Sequence, residues 1–225
     1  VRLGPRLRGQ RAVPVGTEPD DHDLLLWLEE LSNRVTNSFY QAEELVPLEP
    51  MTKGLSVFPQ SGPRKSATIT RGILVTASSV YSPEMGMDVY SIRIRLLSAD
   101  EEGGMTAEAR GFTTAQLHTR HWQLTKANGE VDRVDGPGVV GRFPVFREGG
   151  WRDDKQDNSG TVMEGEECNG LFVYQSMSGR GPSPTVAFEG EIELVPGSLG
   201  EPTGPPFRIA VGRFPLQCPP EEFIF

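Results

Sequence analysis

From Ser66 onward the apolar residues of this chain recur at every second position in short runs closed by Gly, Pro, Asn or Asp, and no helical period interrupts them. This pattern constrains the fold more than any other feature. Ile69, Arg71, Ile73, Val75 and Ala77 alternate with Thr70, Gly72, Leu74 and Thr76, which reads as one strand with a single core face. After a turn at 83–87, Tyr90, Ile92, Ile94 and Leu96 repeat the alternation, and residues 100–110 read as a solvated loop. Strands are expected at 116–125 and 130–134, joined through Asn128-Gly129, a pair that supplies the positive φ values of a tight hairpin turn. Further strands are expected at 171–177, 185–195 and 207–214. About seven or eight short strands without interleaved helices specify an all-β fold, an antiparallel sandwich rather than a βαβ sheet.

The residues before this body are of another kind. Residues 1–20 read as a flexible tail, since Arg2, Arg6, Arg8 and Arg11 stand among Gly and Pro with no acid before Glu18. An Arg-rich start also suits organelle import, but the Ser richness of a transit peptide is missing. Leu24, Leu28, Leu31, Val35 and Phe39 then recur at helical spacing, widened by Trp27, behind the helix-starting acids Asp20, Asp21 and Asp23. A helix over 21–40 is expected, with a Pro-rich linker at 44–63 behind it, so that 21–66 form a helical extension to the sandwich. The chain begins with Val1 rather than Met, the mark of a fragment or processed form, which leaves upstream domains open.

Charge and thiols narrow the functional classes. With 22 Lys and Arg against 31 Asp and Glu, the net charge is −9, the wrong sign for counterion release from nucleic acid. No apolar run reaches about 18 residues, so no membrane span is expected. The two cysteines, Cys168 and Cys218, fit neither a disulfide framework nor zinc spacing, which points to free thiols in the cytoplasm or nucleus.

Gly136, Gly138 and Gly141 spell G-x-G-x-x-G, but Pro144 and the alternating Phe143, Val145 and Phe146 exclude the helix that a dinucleotide site requires. Two readings remain for this loop: tight backbone turns at the end of the sandwich, or a phosphate held by consecutive N–H groups. His118 and His121 lie three apart in a strand, on opposite faces, so no shared metal is expected. The acids Asp153, Asp154, Asp157, Glu164, Glu166 and Glu167 lack calcium-loop spacing. G-x-S-x-G and Walker motifs are missing, and no residue qualifies as nucleophile or base. No catalytic residue, metal or cofactor is therefore expected.

Taken in order, Thr70-Arg71-Gly72-Ile73-x-Val75, Tyr90-x-Ile92-x-Ile94, Arg120-His121-Trp122, Asn128-Gly129, Gly136-Pro137-Gly138-Val139-Val140-Gly141 with Pro144, and Tyr174-x-Ser176 resemble the ApaG domain family. Glu189-Gly190, Phe207 and Phe214 continue the likeness, which covers about residues 67–217 and leaves 218–225 as a tail. The resemblance implies an immunoglobulin or fibronectin type III-like sandwich used as a non-catalytic binding module, with a phosphate or pyrophosphate contact at the glycine loop; the alternative function is a phosphate-, pyrophosphate- or nucleotide-binding module using the Gly136–Gly141 loop. Residues 188–216, with Val195-Pro196-Gly197-Ser198-Leu199-Gly200 inside them, and the Phe223-Ile224-Phe225 end look closer to the C-terminal ApaG domains of eukaryotic F-box proteins. These recruit substrates to ubiquitin ligases, which implies a protein partner. Gly136, Gly138, Val139, Gly141, Arg71, Arg120, His121, Trp122 and Tyr174 are the candidate binding residues, although Trp122 and Tyr174 equally suit a core. Residues 147–170 depart from the family as an acidic, Gly-rich insertion and are expected to be a mobile excursion without a core of its own. The oligomeric state is left open.

Overall fold

The computed structural model describes residues 21–44, 53–82, 86–179 and 183–216, so the expected tails at 1–20 and 218–225 and the second cysteine lie outside the described residues. In chain order the elements are α1 (Asp21–Thr36), β1 (Gln41–Glu44), β2 (Lys53–Ser56), β3 (Lys65–Thr70), β4 (Ile73–Ser82), β5 (Met87–Leu96) and α2 (Ala107–Arg110). They continue as β6 (Ala115–Lys126), β7 (Val131–Pro137), β8 (Val145–Arg147), β9 (Gly150–Arg152), β10 (Lys155–Gln156), β11 (Val162–Met163), β12 (Glu167–Asn169), β13 (Phe172–Gly179), β14 (Thr185–Pro196) and β15 (Phe207–Pro215).

Two antiparallel sheets face one another. One is four-stranded in the order β13-β5-β4-β3; the other is seven-stranded in the order β12-β9-β8-β6-β14-β15, with β7 also paired to β6. Between them, Ile73, Val75, Ala77, Tyr90, Ile92 and Ile94 meet Leu117, Trp122, Phe188, Ile192, Leu194, Ile209 and Phe214, all buried. The chain is the all-β antiparallel sandwich that its alternation specifies, with a helix at its N-terminal side.

The two sheets touch along one side. Thr68 Oγ1 donates to the Ala210 carbonyl, and a Cβ on Gly212 would come within 3.1 Å of Thr68 and 3.2 Å of Ser66. Glycine there lets β15 lie against β3.

The expected single strand over 69–77 is two strands. Arg71 and Gly72 form a two-residue turn with φ of 50° and 74°, and Thr70 pairs with Ile73. Positive φ at both central positions matches the right-handed twist of the flanking strands. An arginine is a poor sequence signal for that geometry; the reason it stays there is tertiary, as shown below. At the Asn128-Gly129 hairpin only Gly129 takes a positive φ, 87°, while Asn128 Oδ1 accepts from the Glu130 N–H at 3.1 Å.

The region read as linker holds β2, which pairs with β1 just before it, and the segment that follows covers the outer face of the four-stranded sheet. Arg93, buried on β5, donates Nη2 to Ser56 Oγ at 3.1 Å and lies over the Phe58 ring at 5.6 Å. Helix α1 ends at Thr36, short of the expected Tyr40, because Ser38 takes φ 57° and the Arg34 carbonyl accepts from the Phe39 and Tyr40 N–H groups. Of its expected apolar stripe, Leu28 and Val35 are exposed and Trp27 and Leu31 half-buried; Leu25 is exposed as well.

Residues 147–170 differ most from expectation. They supply β9 and β12 to the large sheet, and Trp151 is buried, edge-on to Phe172 at 4.8 Å. The acidic composition concealed one large aromatic that closes the end of the core. Likewise, the loop at 100–110 contains α2, capped by Thr106 and Gly111, and its Arg110 is buried with Nε on the Phe112 carbonyl at 2.8 Å.

Trp151→Ala is expected to cost about 3–5 kcal/mol in urea unfolding. A loss under about 0.5 kcal/mol, the usual effect of a surface change, would restore the loose-excursion reading.

Candidate interaction surface

The glycine motif is built around β6. One edge of this strand pairs with β14 along its length. The other is divided, with Ala115 and Gln116 facing β8 and residues 119–125 facing β7. Between the two, the chain must leave β6 and return. The Gly138 N–H donates to the His118 carbonyl at 2.8 Å, and the Leu117 N–H donates to the Pro144 carbonyl at 2.9 Å, so the ladder continues through the crossing. Val139 and Arg142 exchange N–H···O bonds of 2.9 Å around Val140 and Gly141, at φ 49° and 71°. The motif is therefore a two-residue reverse turn, and the N–H groups of Gly138, Val139 and Arg142 are committed within it. A phosphate cradle needs such groups converging and free. The nearby cation is also engaged: Arg142 Nε lies 3.6 Å from Asp153.

Arg120 holds this turn from below. Its Nη1 donates to the carbonyls of Pro137 at 2.9 Å and Gly138 at 2.7 Å, and Gly136 lies against the guanidinium, where a Cβ would come within 3.2 Å. Gly138 has no room for a side chain either, its Cβ position being 2.7 Å from the Arg142 carbonyl oxygen. Val139 is buried in the core, whereas Val140 is 72% exposed at the tip.

The other candidate residues separate by role. Arg71 Nε donates to the Arg110 carbonyl at 3.0 Å, and its guanidinium lies 4.3 Å from the Phe207 ring centre and 5.1 Å from that of Phe112. This stacking holds a non-glycine residue at positive φ. Trp122 and Tyr174 are core, stacked at 6.5 Å with an interplanar angle of 16°. His121 Nδ1 is 2.7 Å from Asp135 Oδ1, and His118 Nδ1 is 3.0 Å from Glu193 Oε1. Thr119 Oγ1 lies 3.2 Å from His121 Nε2 and 3.5 Å from the same Glu193 oxygen, so the two histidines are linked on one side of β6 rather than set on opposite faces as expected, because the pairing with β14 shifts register at Glu193. Arg120, His121 and the 136–141 turn form one neighbourhood on β6 and β7, while Arg71 belongs to another.

Two titratable groups are held toward their neutral forms. Burial, reinforced by Tyr174, pushes the Tyr90 phenol above its ordinary range, with the two hydroxyls 3.4 Å apart. Burial and the carboxylates of Asp153 and Glu166 push the Cys168 thiol up, the opposite of what a nucleophilic thiolate requires. A cleft of about 320 Å³ lies between Thr114, Arg147, Arg152, Glu164, Glu167 and Glu201. Its arginines are neutralised in place, Arg147 by Glu167 at 2.8 Å and Arg152 by Glu164 at 3.2 Å.

A buried polar hub was not foreseen. Gln116 Nε2 donates to the Phe143 carbonyl at 2.9 Å and to Asp154 Oδ2 at 3.0 Å, while its Oε1 accepts from the Leu199 N–H at 2.7 Å. Asp154 also takes a two-pronged bond from Arg152, at 2.7 and 2.9 Å, and one from the Gly165 N–H at 3.0 Å. Burial alone would raise the Asp154 carboxyl, but Arg152, Gly165 and Gln116 together hold it below its ordinary value. The hub ties three loops to the β6–β8 junction. A lone Gln and a doublet of acids gave no sequence signal for it.

A family model for the ApaG domain matches residues 85–166. Protein ApaG of Paramagnetospirillum magneticum is 31% identical over 158 residues, covering 68% of this chain and 93% of that protein. F-box protein SKIP16 of Arabidopsis thaliana is 31% identical over 211 residues, covering 90% of this chain and 42% of that protein. F-box only protein 3 of Homo sapiens is 28% identical over 159 residues, covering 70% of this chain and 29% of that protein. Fold and glycine turn thus define an ApaG-type β-sandwich. The chain belongs to the ApaG domain family and is homologous to F-box proteins, of which it spans less than half the length. No described helix is long and apolar enough to cross a membrane.

The hub gives a signed pH dependence. With the folded carboxyl titrating below the unfolded one, its contribution is complete above the unfolded value of about 3.9 and is lost as pH falls through the folded value. Asp154→Asn is expected to cost about 1–3 kcal/mol at pH 7, a gap that narrows in unfolding measurements below about pH 4. A gap independent of pH would refute the assignment.

Proposed function

We propose that this chain is a non-catalytic protein-interaction module, the substrate-recruiting part of an F-box-type ubiquitin ligase component. The observation that carries this reading is the match to a plant F-box protein over 90% of the chain, compared with 68% for the bacterial ApaG protein. It is supported by a sandwich whose Cys168 thiol and Tyr90 phenol are held in their neutral forms and whose Arg71 and Arg120 brace the backbone.

The recruiting surface is assigned to the tip of the glycine turn with His121 and Asp135 beside it and Arg120 bracing it from beneath, while Trp122 and Tyr174 belong to the core. Val140 marks the place. A β-branched residue at φ 49° costs about 1–3 kcal/mol in backbone strain, yet its side chain is 72% exposed and gains little from the core. Strain combined with exposure is a reason to look for a contact outside the molecule.

Val140→Asn tests this, because asparagine tolerates the left-handed conformation. The variant is expected to be about 1 kcal/mol more stable and to capture partner proteins from the source cell at least about tenfold more weakly. Stabilisation without loss of capture would remove the surface from this site; the absence of any captured protein would remove the interaction role itself.

A further inference from the structure

The four-stranded sheet has two unlike edges. Its β3 edge is closed against β15 by Thr68 and Gly212. Its β13 edge has no strand beside it among the described residues. Exposed edges are ordinarily guarded by charge, proline, shortness or a covering element, since an unguarded one is a template for another strand. The other edges follow that rule. β7 carries Asp132, Arg133 and Asp135 and ends in Pro137, and β12 is three residues long with Glu167 in it. β13 is eight residues long, reads Phe-Val-Tyr-Gln-Ser-Met-Ser-Gly, and has neither charge nor proline.

We propose that β13 pairs antiparallel with β13 of a second copy of this chain, about a two-fold axis through Gln175. The strand is its own complement in that register. Val173 falls opposite Met177 on both sides of the axis, Gln175 opposite Gln175, Tyr174 opposite Ser176 and Phe172 opposite Ser178. Gln175 and Met177 are exposed while Phe172 and Tyr174 are buried, so apolar pairs and one amide pair line the outer face. Centring the axis on Ser176 would set Gln175 against Met177; centring it on Tyr174 would pair fewer residues. With no charge on β13, pairing brings no like charges together, which favours a copy over a partner chosen by charge. The four-stranded sheets of the two copies become continuous. This interface is independent of the ligase reading and uses a different edge from the Val140 turn.

Net charge opposes the encounter, −9 on each copy, so salt strengthens it by screening over about 8 Å at physiological ionic strength. Sedimentation of the full chain across about 1–200 μM is expected to show a concentration-dependent monomer–dimer equilibrium, shifted to dimer by added salt. Gln175→Lys and Gln175→Glu each place like charges at the self-paired position and are expected to weaken association at least about tenfold, with thermal stability of the monomer unchanged because the site is exposed. Mixing the two variants is expected to restore dimer as a mixed species. A wild type that stays monomeric throughout, a dimer indifferent to both substitutions, or a mixture that does not associate would each overturn the proposal. A monomer whose β13 amides gain protection only from an added partner protein would overturn it as well, assigning the edge to that partner.

Discussion

The division of one edge of β6 between two strands is the constraint from which the rest of this structure follows. A strand that offers β7 its later residues and β8 its first two needs a connection that leaves and rejoins the same edge within a few residues. Only a chain able to take positive φ repeatedly can do this, and the glycines at 138 and 141 meet that requirement, with Val140 drawn into the same conformation between them. Arg120 fixes the crossing by holding two of its carbonyls, and the Gln116–Asp154 hub fixes the return. The signature that suggests a nucleotide loop is here a solution to strand connectivity. What it exposes at its tip is the Val140 side chain.

Much of the sandwich was legible because period-two alternation reports directly which side chains face inward. Ile73, Val75, Tyr90, Ile92, Ile94 and Trp122 are core residues as the pattern implies. The failures share a cause. Arg71-Gly72 does not look like a hairpin turn because the interactions that hold Arg71, rings of Phe112 and Phe207 and the Arg110 carbonyl, come from residues 39 or more positions away. Trp151 does not look like core because acids surround it in sequence, though Phe172 surrounds it in space. Gln116 and Asp154 are 38 residues apart and carry no periodic signal. Of the candidate site, the neighbourhood of Arg120, His121 and the glycine turn was legible; the reversal of roles, with arginines bracing and Val140 exposed, was not.

The acidic balance also acquires a structure. Asp153 and Asp154 are buried and matched to Arg142, Arg152 and Lys155. Charge in the 147–170 segment therefore builds as well as solvates it. The two arginines expected to anchor a partner also brace the fold, Arg71 over Phe207 and Arg120 on the Pro137 and Gly138 carbonyls, while Arg93 fastens the N-terminal segment to the sheet and Arg110 the α2 turn.

The most direct test is amide hydrogen exchange across residues 136–142, measured for the free chain, with pyrophosphate, and with a captured partner protein. The account predicts slow exchange at Gly138, Val139 and Arg142 in the free chain, no change at millimolar pyrophosphate, and new protection around Val140 when the partner is bound. Protection of the turn by pyrophosphate alone, with none from the partner, would contradict it.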